Sequence, residues 1–180
     1  MKGPLFDEEA VSEDPDVASE SDSKRLRASV EPVRAPRFRF VEAQGDLFAC
    51  AAADDSLAHC VSRCLAMSKG IAVEFKKRFD HVAELKAQNP RIGSGAWLER
   101  PGGGTVFYLV TKERYFHKPL LADLRKSLEW MRDTAIARGV HSIAMPRIGA
   151  GLDKLSWEEV KNAIREVFGE TDICIKVFFL

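Results

Sequence analysis

The second half of the chain alternates short apolar runs with amphipathic helical patterns, and this alternation limits the possible folds more than any other feature. Apolar runs at residues 105–110, 142–145 and 173–179 predict strands. A helical pattern separates each run from the next. Strands joined by helices are typical of a parallel or mixed sheet covered on both faces. The predicted fold class is therefore α/β, a three-layer α/β/α sandwich with a mixed, largely parallel central sheet.

Each of the two helices in this alternation has its own sequence signal. The first has one apolar face, repeating every three or four positions, at Leu121, Leu124, Leu128, Met131 and Ala135. The second follows Ser156, which forms a capping-box pattern with Glu159. The second helix is expected to bury Val160, Ile164, Val167 and Phe168.

The preceding part of the chain supplies the remaining elements. Two further strands are predicted at residues 38–43 and 56–61, and two helices at residues 71–79 and 82–87. Residues 96–99 are expected to pair with residues 105–110. The glycines at 102–104 are interpreted as the turn of that hairpin, because no helix follows them to complete a phosphate-binding loop.

The amino-terminal segment has a different composition. Residues 1–36 contain nine acids and five bases, with few aromatic residues and no sustained periodicity. Such a segment cannot bury enough apolar area to fold, so it is predicted to be a disordered acidic and polar tail. The folded domain is predicted to span residues 37–180, where 22 bases face 18 acids.

Composition argues against several classes of protein. The formal net charge is zero, which argues against a direct nucleic-acid partner. No apolar run reaches the length of a membrane span, and no signal peptide is evident, so no membrane partner and an intracellular location are expected. The four cysteines show neither a Cys-x-x-Cys motif nor zinc spacing, and they are interpreted as reduced thiols.

The loop after the strand at 142–145 is the first candidate for chemistry. It runs from Met145 to Asp153 and contains Gly149 and Gly151, which leave backbone amides open to a ligand. A glycine-rich loop at the carboxyl end of a strand can bind a pyrophosphate. Asp153 then lies where a carboxylate could transfer protons.

Lys112 is the second candidate. It follows the apolar strand at 105–110, and ligands of such sheets bind beyond the carboxyl ends of the strands. A partly desolvated amine there could act as a nucleophile, although an ordinary surface lysine is the alternative.

Two further residues are weaker candidates. Cys60 beside His59 is a less favoured nucleophile, since adjacent strand residues point to opposite faces. Asp46, after the first strand, is either an acceptor for an adenine amino group or an ordinary turn residue.

Several fragments together resemble the macrodomain family, which binds ADP-ribose, and within it the terminal ADP-ribose protein glycohydrolases, also called O-acetyl-ADP-ribose deacetylases. The fragments span residues 45–50, 56–60, 70–73, 108–112, 117–119 and 145–153. Their order makes the resemblance specific. The loop at 63–70 departs from the family's usual glycine-rich sequence, since Ser68 and Lys69 replace small residues.

The resemblance implies a role for individual residues. It makes Lys112 the nucleophile and Asp153 its acid–base partner, with no metal and no cofactor. It also implies a set of substrate-binding residues: Asp46, Leu47, Ser62, Thr111, Arg147, Ile148, Gly149, Ala150, Gly151, Leu152 and Leu180.

The resulting hypothesis is an ADP-ribosyl hydrolase. Its substrates would be mono-ADP-ribose ester-linked to protein glutamate or aspartate, and O-acetyl-ADP-ribose. The resemblance implies a monomer that removes ADP-ribose from proteins in the DNA damage response, in the nucleus or also in the cytoplasm. The alternative is a reader that binds ADP-ribose or ADP-ribosylated proteins without turnover. A scaffolding macrodomain associated with RNA is a weaker alternative, because the charge balance is neutral.

Overall fold

The computed structural model describes residues 37–180, so the predicted tail at 1–36 lies outside the described residues. The strands are β1 (Arg39–Gln44), β2 (Ser56–Ser62), β3 (Ser94–Glu99), β4 (Thr105–Lys112), β5 (Ser142–Pro146) and β6 (Cys174–Phe179). The helices are α1 (Leu47–Cys50), α2 (Ile71–Phe79), α3 (Val82–Ala87), α4 (Leu121–Ala137) and α5 (Trp157–Phe168).

The six strands of the described part form one sheet in the order β1-β6-β5-β2-β4-β3. All neighbours are parallel except β3 and β4, which form an antiparallel hairpin. The carboxyl ends of β1, β2, β4, β5 and β6 therefore lie at one edge. This arrangement confirms the predicted mixed, largely parallel sheet and brings the loops after these strands together.

Helices cover both faces of the sheet, as predicted. One core cluster joins α4 and α5 to side chains such as Phe107, Leu109 and Ile175. The other joins α2 and α3 to side chains such as Leu57, Val106 and Val110. These side chains alternate along each strand, because successive residues of a strand point to opposite faces. The result is a three-layer α/β/α sandwich.

Strand β4 is longer than its sequence pattern indicated. The prediction ended it at residue 110, but the strand continues through Thr111 to Lys112. The first seven of its eight residues are buried and the last is partly exposed. Lys112 therefore does not follow the strand but ends it, and the strand's register determines where the side chain emerges.

Two helix starts differ from their predictions. Ser156 lies at the amino-terminal cap of α5, but its side chain makes no capping hydrogen bond, so the predicted capping box is wrong. The stretch after β1 is not a simple turn, since Asp46 caps the short helix α1 by accepting hydrogen bonds from the amides of Phe48 and Ala49. Both ends illustrate that a cap depends on side-chain orientation as well as on residue type.

A buried ion pair connects three strands at the edge opposite the carboxyl ends. Asp55 is fully buried and accepts hydrogen bonds from Lys176 at 2.7 Å, from the Ala52 amide at 2.8 Å and from Ser142. Burial raises the pKa of the Asp55 carboxyl, but these three hydrogen bonds outweigh burial and hold that pKa below its ordinary value. The charged form of Asp55 therefore stabilises the fold.

We expect Asp55→Asn to lower the free energy of unfolding at neutral pH by about 2 kcal/mol, because it removes the charge to which Lys176 and Ser142 donate hydrogen bonds. The folded pKa lies below the unfolded one, so the wild type should lose this stabilisation as the pH falls through the folded pKa. Urea unfolding at neutral pH and at about pH 3 measures both effects. Asp54→Asn, at the exposed neighbouring acid, is the control; equal stability of the two variants would contradict the prediction.

Candidate active site

A cavity of about 530 Å³ opens at the carboxyl edge of the sheet. Its walls come from the end of β2, the loop and helix start that follow it, the loop after β4 and the loop after β5. The lining residues are 60–62, 67–72, 112, 115–118, 146–149 and 151–154. The cavity therefore lies where parallel sheets of this kind bind their ligands.

Lys112 and Asp153 meet inside this cavity. The Lys112 Nζ donates a hydrogen bond to Asp153 Oδ1, and the two side chains are only 13% and 14% exposed. Forty-one residues separate them in sequence, and the sheet brings them together because β4 and β5 both end at this edge. A largely desolvated amine beside a carboxylate is an arrangement suited to nucleophilic attack with proton transfer.

The loop after β5 holds Asp153 through its own backbone. Gly149 has a φ of 72°, and its carbonyl accepts a hydrogen bond from the Leu155 amide at 2.8 Å. A Cβ at Gly149 would lie 3.0 Å from Leu155 Cδ1, so both conformation and space require glycine there. Gly149 is thus a structural residue of the loop as well as part of the cavity wall.

Gly151 has a different environment. A Cβ at this position would meet no atom within 4 Å, although the residue lines the cavity. Within the described part of the chain, the amides of Gly151, Leu152 and Asp153 donate to no protein acceptor. Unpaired amides that face a cavity are suited to binding an anion.

The loop after β2 forms the facing wall. Leu65 and Met67 are buried although both have positive φ, so packing holds this loop in an unusual backbone conformation. It leads to Gly70, which caps α2 with a φ of 60°. A Cβ at Gly70 would lie 3.4 Å from Leu152 Cδ1, which shows how closely the two loops approach across the cavity. Ser68 and Lys69 are exposed on this wall.

Cys60 lies in the cavity wall, but its thiol is held in the neutral form. Burial and, to a smaller extent, the nearby Asp153 carboxylate raise the pKa of Cys60, while Lys112 acts in the opposite direction, and the net value is about 12. His59 points to the other face, where it stacks on Phe75 with ring centroids 3.9 Å apart, and burial lowers its pKa to about 3. These two residues therefore do not form a thiolate–imidazolium pair.

The predicted binding residues fall into two groups. Ser62, Arg147, Ile148, Gly149, Gly151 and Leu152 line the cavity together with the Lys112–Asp153 pair. Asp46, Leu47, Thr111, Ala150 and Leu180 are not part of its lining. Leu47 and Thr111 are buried, and Leu180 is 93% exposed. The binding roles of both groups stay predictions.

Arg147 is already engaged by protein groups. Its guanidinium contacts Glu42 Oε1 at 2.6 Å and lies 3.8 Å from the centroid of the Phe179 ring. Trp157 donates a hydrogen bond to the same carboxylate oxygen at 2.9 Å. Burial raises the pKa of Glu42, but the hydrogen bonds from Arg147 and Trp157 outweigh it and lower that pKa overall. The carboxylate thus orients Arg147 at the edge of the cavity.

The loop after β4 contributes a part of the cavity that the residue-by-residue reasoning missed. Tyr115, Phe116, His117 and Lys118 all line the cavity and are exposed. The resemblance included residues 117–119 but assigned them no role. The sequence signal for them was the pair of adjacent aromatic residues, Tyr115 and Phe116, shortly after the strand that ends at Lys112.

Comparisons with known proteins place this geometry in a family. No protein-family model matches the chain. The chain is 49% identical over 142 residues to the ADP-ribose glycohydrolase OARD1 of Homo sapiens, covering 79% of this chain and 92% of that relative. Its fold matches the macrodomain of Mycobacterium tuberculosis DarG, with a TM-score of 0.70, 22% identity and coverage of 79% of this chain and 98% of the other.

A third match is Thermosipho africanus DarTG in complex with ADP-ribose, with a TM-score of 0.68 and 19% identity. It covers 78% of this chain and 41% of that chain. The fold is thus that of a macrodomain. The identity and coverage shared with OARD1 go further, and the chain belongs to the family of the ADP-ribose glycohydrolase OARD1.

Other properties of the described residues bear on the site. No three His, Cys, Asp or Glu side chains among residues 37–180 are grouped so as to hold a metal ion. No helix in this part of the chain has the length and apolarity needed to cross a membrane. All four cysteines are free.

The cysteine environments predict an order of alkylation by iodoacetamide in the native protein. Burial raises the pKa of Cys64, but hydrogen bonds from Ser62 and the Ala66 and Tyr115 amides outweigh it and lower that pKa overall. We expect fast labelling of Cys64 and of exposed Cys50, and negligible labelling of Cys60, whose raised pKa keeps the thiol protonated. Peptide mass spectrometry measures the order, with urea-unfolded protein as the control. Native labelling of Cys60 at the rate of Cys64 would restore Cys60 as a candidate nucleophile.

Proposed function

We propose that this protein is an ADP-ribosyl hydrolase with a lysine nucleophile. Its substrates are mono-ADP-ribose ester-linked to protein glutamate or aspartate, and O-acetyl-ADP-ribose. The observation that carries the proposal is the Lys112–Asp153 pair, largely desolvated in a cavity between two backbone loops. The name of its relative OARD1, an ADP-ribose glycohydrolase, supports the same reaction class.

In this proposal, ADP-ribose binds with its diphosphate at the loop after β5 and its distal ribose towards the Lys112–Asp153 pair. The open amides of the loop after β5, at Gly151, Leu152 and Asp153, bind the diphosphate. The distal ribose then lies deeper, between the loop after β2 and the Lys112–Asp153 pair. Asp46 retains an unused carboxylate oxygen, since Oδ1 alone accepts the two capping hydrogen bonds. That second oxygen can accept a hydrogen bond from the adenine amino group.

The reaction proceeds in two displacements at C1″ of the distal ribose. In the first, Asp153 takes a proton from the Lys112 ammonium, and the neutral amine attacks C1″. The bond from C1″ to the ester oxygen breaks, the acceptor carboxylate leaves with the electron pair, and Asp153 gives its proton to that carboxylate and so regains its charge. In the second, Asp153 takes a proton from water as the water attacks C1″. The bond from C1″ to the Lys112 nitrogen breaks with its electron pair on the nitrogen, and the amine regains a proton from Asp153. ADP-ribose and a free carboxylate are the products.

If the protein were a non-catalytic reader, the Lys112–Asp153 pair would have no functional role. Affinity for ADP-ribose can come from the diphosphate and adenine contacts alone. A buried pair aimed into the cavity adds little to that affinity, whereas it supplies both groups that the reaction requires.

The decisive experiment is turnover by Lys112→Ala. We expect release of ADP-ribose from a glutamate-linked mono-ADP-ribosylated protein to fall by at least about a thousandfold, while binding of free ADP-ribose stays within a few-fold of the wild type, because the amine acts on the reacting carbon. Calorimetry and release assays measure the two quantities. Lys86→Ala, at an exposed lysine of α3, is the matched control. Wild-type turnover by Lys112→Ala would eliminate the covalent mechanism, and a wild type that binds without turnover would support the reader.

Asp153→Ala should also stop turnover, but at a different stage. The amine remains, and solvent hydroxide can take its proton in place of Asp153, so the first displacement should be slowed but not abolished, and more so as the pH falls. The second displacement lacks its base, so a covalent lysyl–ADP-ribose adduct should accumulate. Intact-protein mass spectrometry after exposure to substrate detects the added mass, and Lys112→Ala with Asp153→Ala in one chain is the control that should show none. An adduct in that double variant would mean that another residue is the nucleophile.

Gly151→Val tests the position of the diphosphate. A Cβ at this position would meet no protein atom within 4 Å, so we expect the variant to fold normally and its side chain to project from the loop into the ligand's path. We expect ADP-ribose affinity to fall by at least about tenfold, or 1.4 kcal/mol. Gly151→Ala should show a smaller loss, and thermal unfolding checks the fold of both variants. Unchanged affinity in Gly151→Val would place the diphosphate elsewhere.

A further inference from the structure

The mouth of the cavity is more positive than the reaction requires. Five cationic residues line the cavity, at Lys69, Lys112, Lys118, Arg147 and Lys154. Asp153 is the one carboxylate among the described lining residues, and Lys112 occupies it. Glu42, which lies outside the lining, neutralises Arg147. Three exposed lysines remain that have no ion-pair or hydrogen-bond partner among residues 37–180.

Two of these lysines lie next to the reacting groups along the chain. Lys154 directly follows Asp153, and its amide donates to the Gly151 carbonyl at 3.2 Å, which holds the backbone at that point. Lys118 belongs to the loop that follows Lys112, and the next residue, Pro119, is buried. The third, Lys69, lies on the facing wall beside the expected diphosphate path. Lys118 and Lys154 are therefore the lysines that line the cavity on the two loops carrying the reacting groups.

We propose that Lys118 and Lys154 form an acceptor-side rim that binds acidic residues flanking the modified carboxylate, so that the preferred protein substrates carry ADP-ribose within acidic segments. This inference rests on the proposed function and names its substrate class. Like charges at a rim repel one another, and carboxylates of a flanking segment relieve that repulsion. Complementary charge of this kind chooses among substrates and raises the rate of encounter.

The exposed aromatic residues of the same loop fit a polypeptide better than a nucleic-acid strand. Tyr115 and Phe116 are 52% and 68% exposed, and their ring planes lie at 89° with centroids 5.2 Å apart. Bases stacked in succession need ring faces presented side by side, which this perpendicular pair does not offer. The two rings instead provide apolar contact for the stem of an extended segment between its charged side chains.

The test compares two glutamate-linked mono-ADP-ribosylated peptides of equal length, one with aspartate and glutamate flanks and one with serine and glycine flanks. At low salt we expect the wild type to favour the acidic peptide in kcat/KM by roughly tenfold, on the basis of about threefold for each exposed lysine. Added salt should reduce this preference. Lys118→Gln with Lys154→Gln should remove most of the preference while free ADP-ribose affinity stays unchanged.

The control is Lys86→Gln, which removes an exposed lysine of α3 away from the cavity and should keep the full preference. Equal kcat/KM for the two peptides in the wild type, or a preference retained in the double variant, would overturn the acceptor-side rim alone. A short single-stranded oligonucleotide that inhibits more strongly than the unmodified acidic peptide would overturn it in favour of nucleic acid. Cleavage of neither peptide by the wild type would overturn the proposed function, and this inference with it.

Discussion

The burial of β4 is the constraint on which the candidate site depends. Seven of its residues lie between two helical layers, and Lys112 stands where the strand leaves the core. A slip of one residue would turn every β4 side chain to the opposite face, so Phe107 and Tyr108 would exchange their core clusters. The position of the amine is therefore determined by apolar residues that take no part in chemistry.

The opposite wall depends on backbone conformation instead of strand burial. Gly149 must be glycine because its φ is positive and its Cβ would press on Leu155, whereas Gly151 is free of both restraints. The loop thus combines one residue that fixes its path with another that leaves space for a ligand. Asp153 follows these two positions and meets Lys112 because the strands that carry both loops end at the same edge. Local loop geometry and sheet topology are both needed to build one ion pair.

Sequence patterns predicted the fold well where the apolar spacing is regular, whereas the roles of the site residues stay predictions. The bounds of α2 and α3 agree with the prediction because apolar spacing and the break between them are local signals. The end of β4 was missed, since Thr111 and Lys112 interrupt the apolar run that defines a strand. Helix α1 was missed because four residues carry no periodic signal, and its stability depends on the Asp46 cap. The resemblance, more than periodicity, brought Lys112 and Asp153 together in advance.

The cavity has desolvated charged groups in its interior and hydrated ones at its mouth, and their contributions to binding free energy differ for that reason. The Lys112–Asp153 pair is largely desolvated, so each charge depends on the other, and loss of one leaves an unpaired group in a poor solvent. Lys118 and Lys154 stay hydrated, and each contributes only about 0.2–1 kcal/mol to an exposed ion pair. Groups of the second kind add little affinity for a ligand that enters the cavity alone. Under the proposed function, their contribution depends on the charge of the acceptor protein outside the cavity. They would then discriminate among acceptor proteins that carry the same ADP-ribose, without altering the reacting centre.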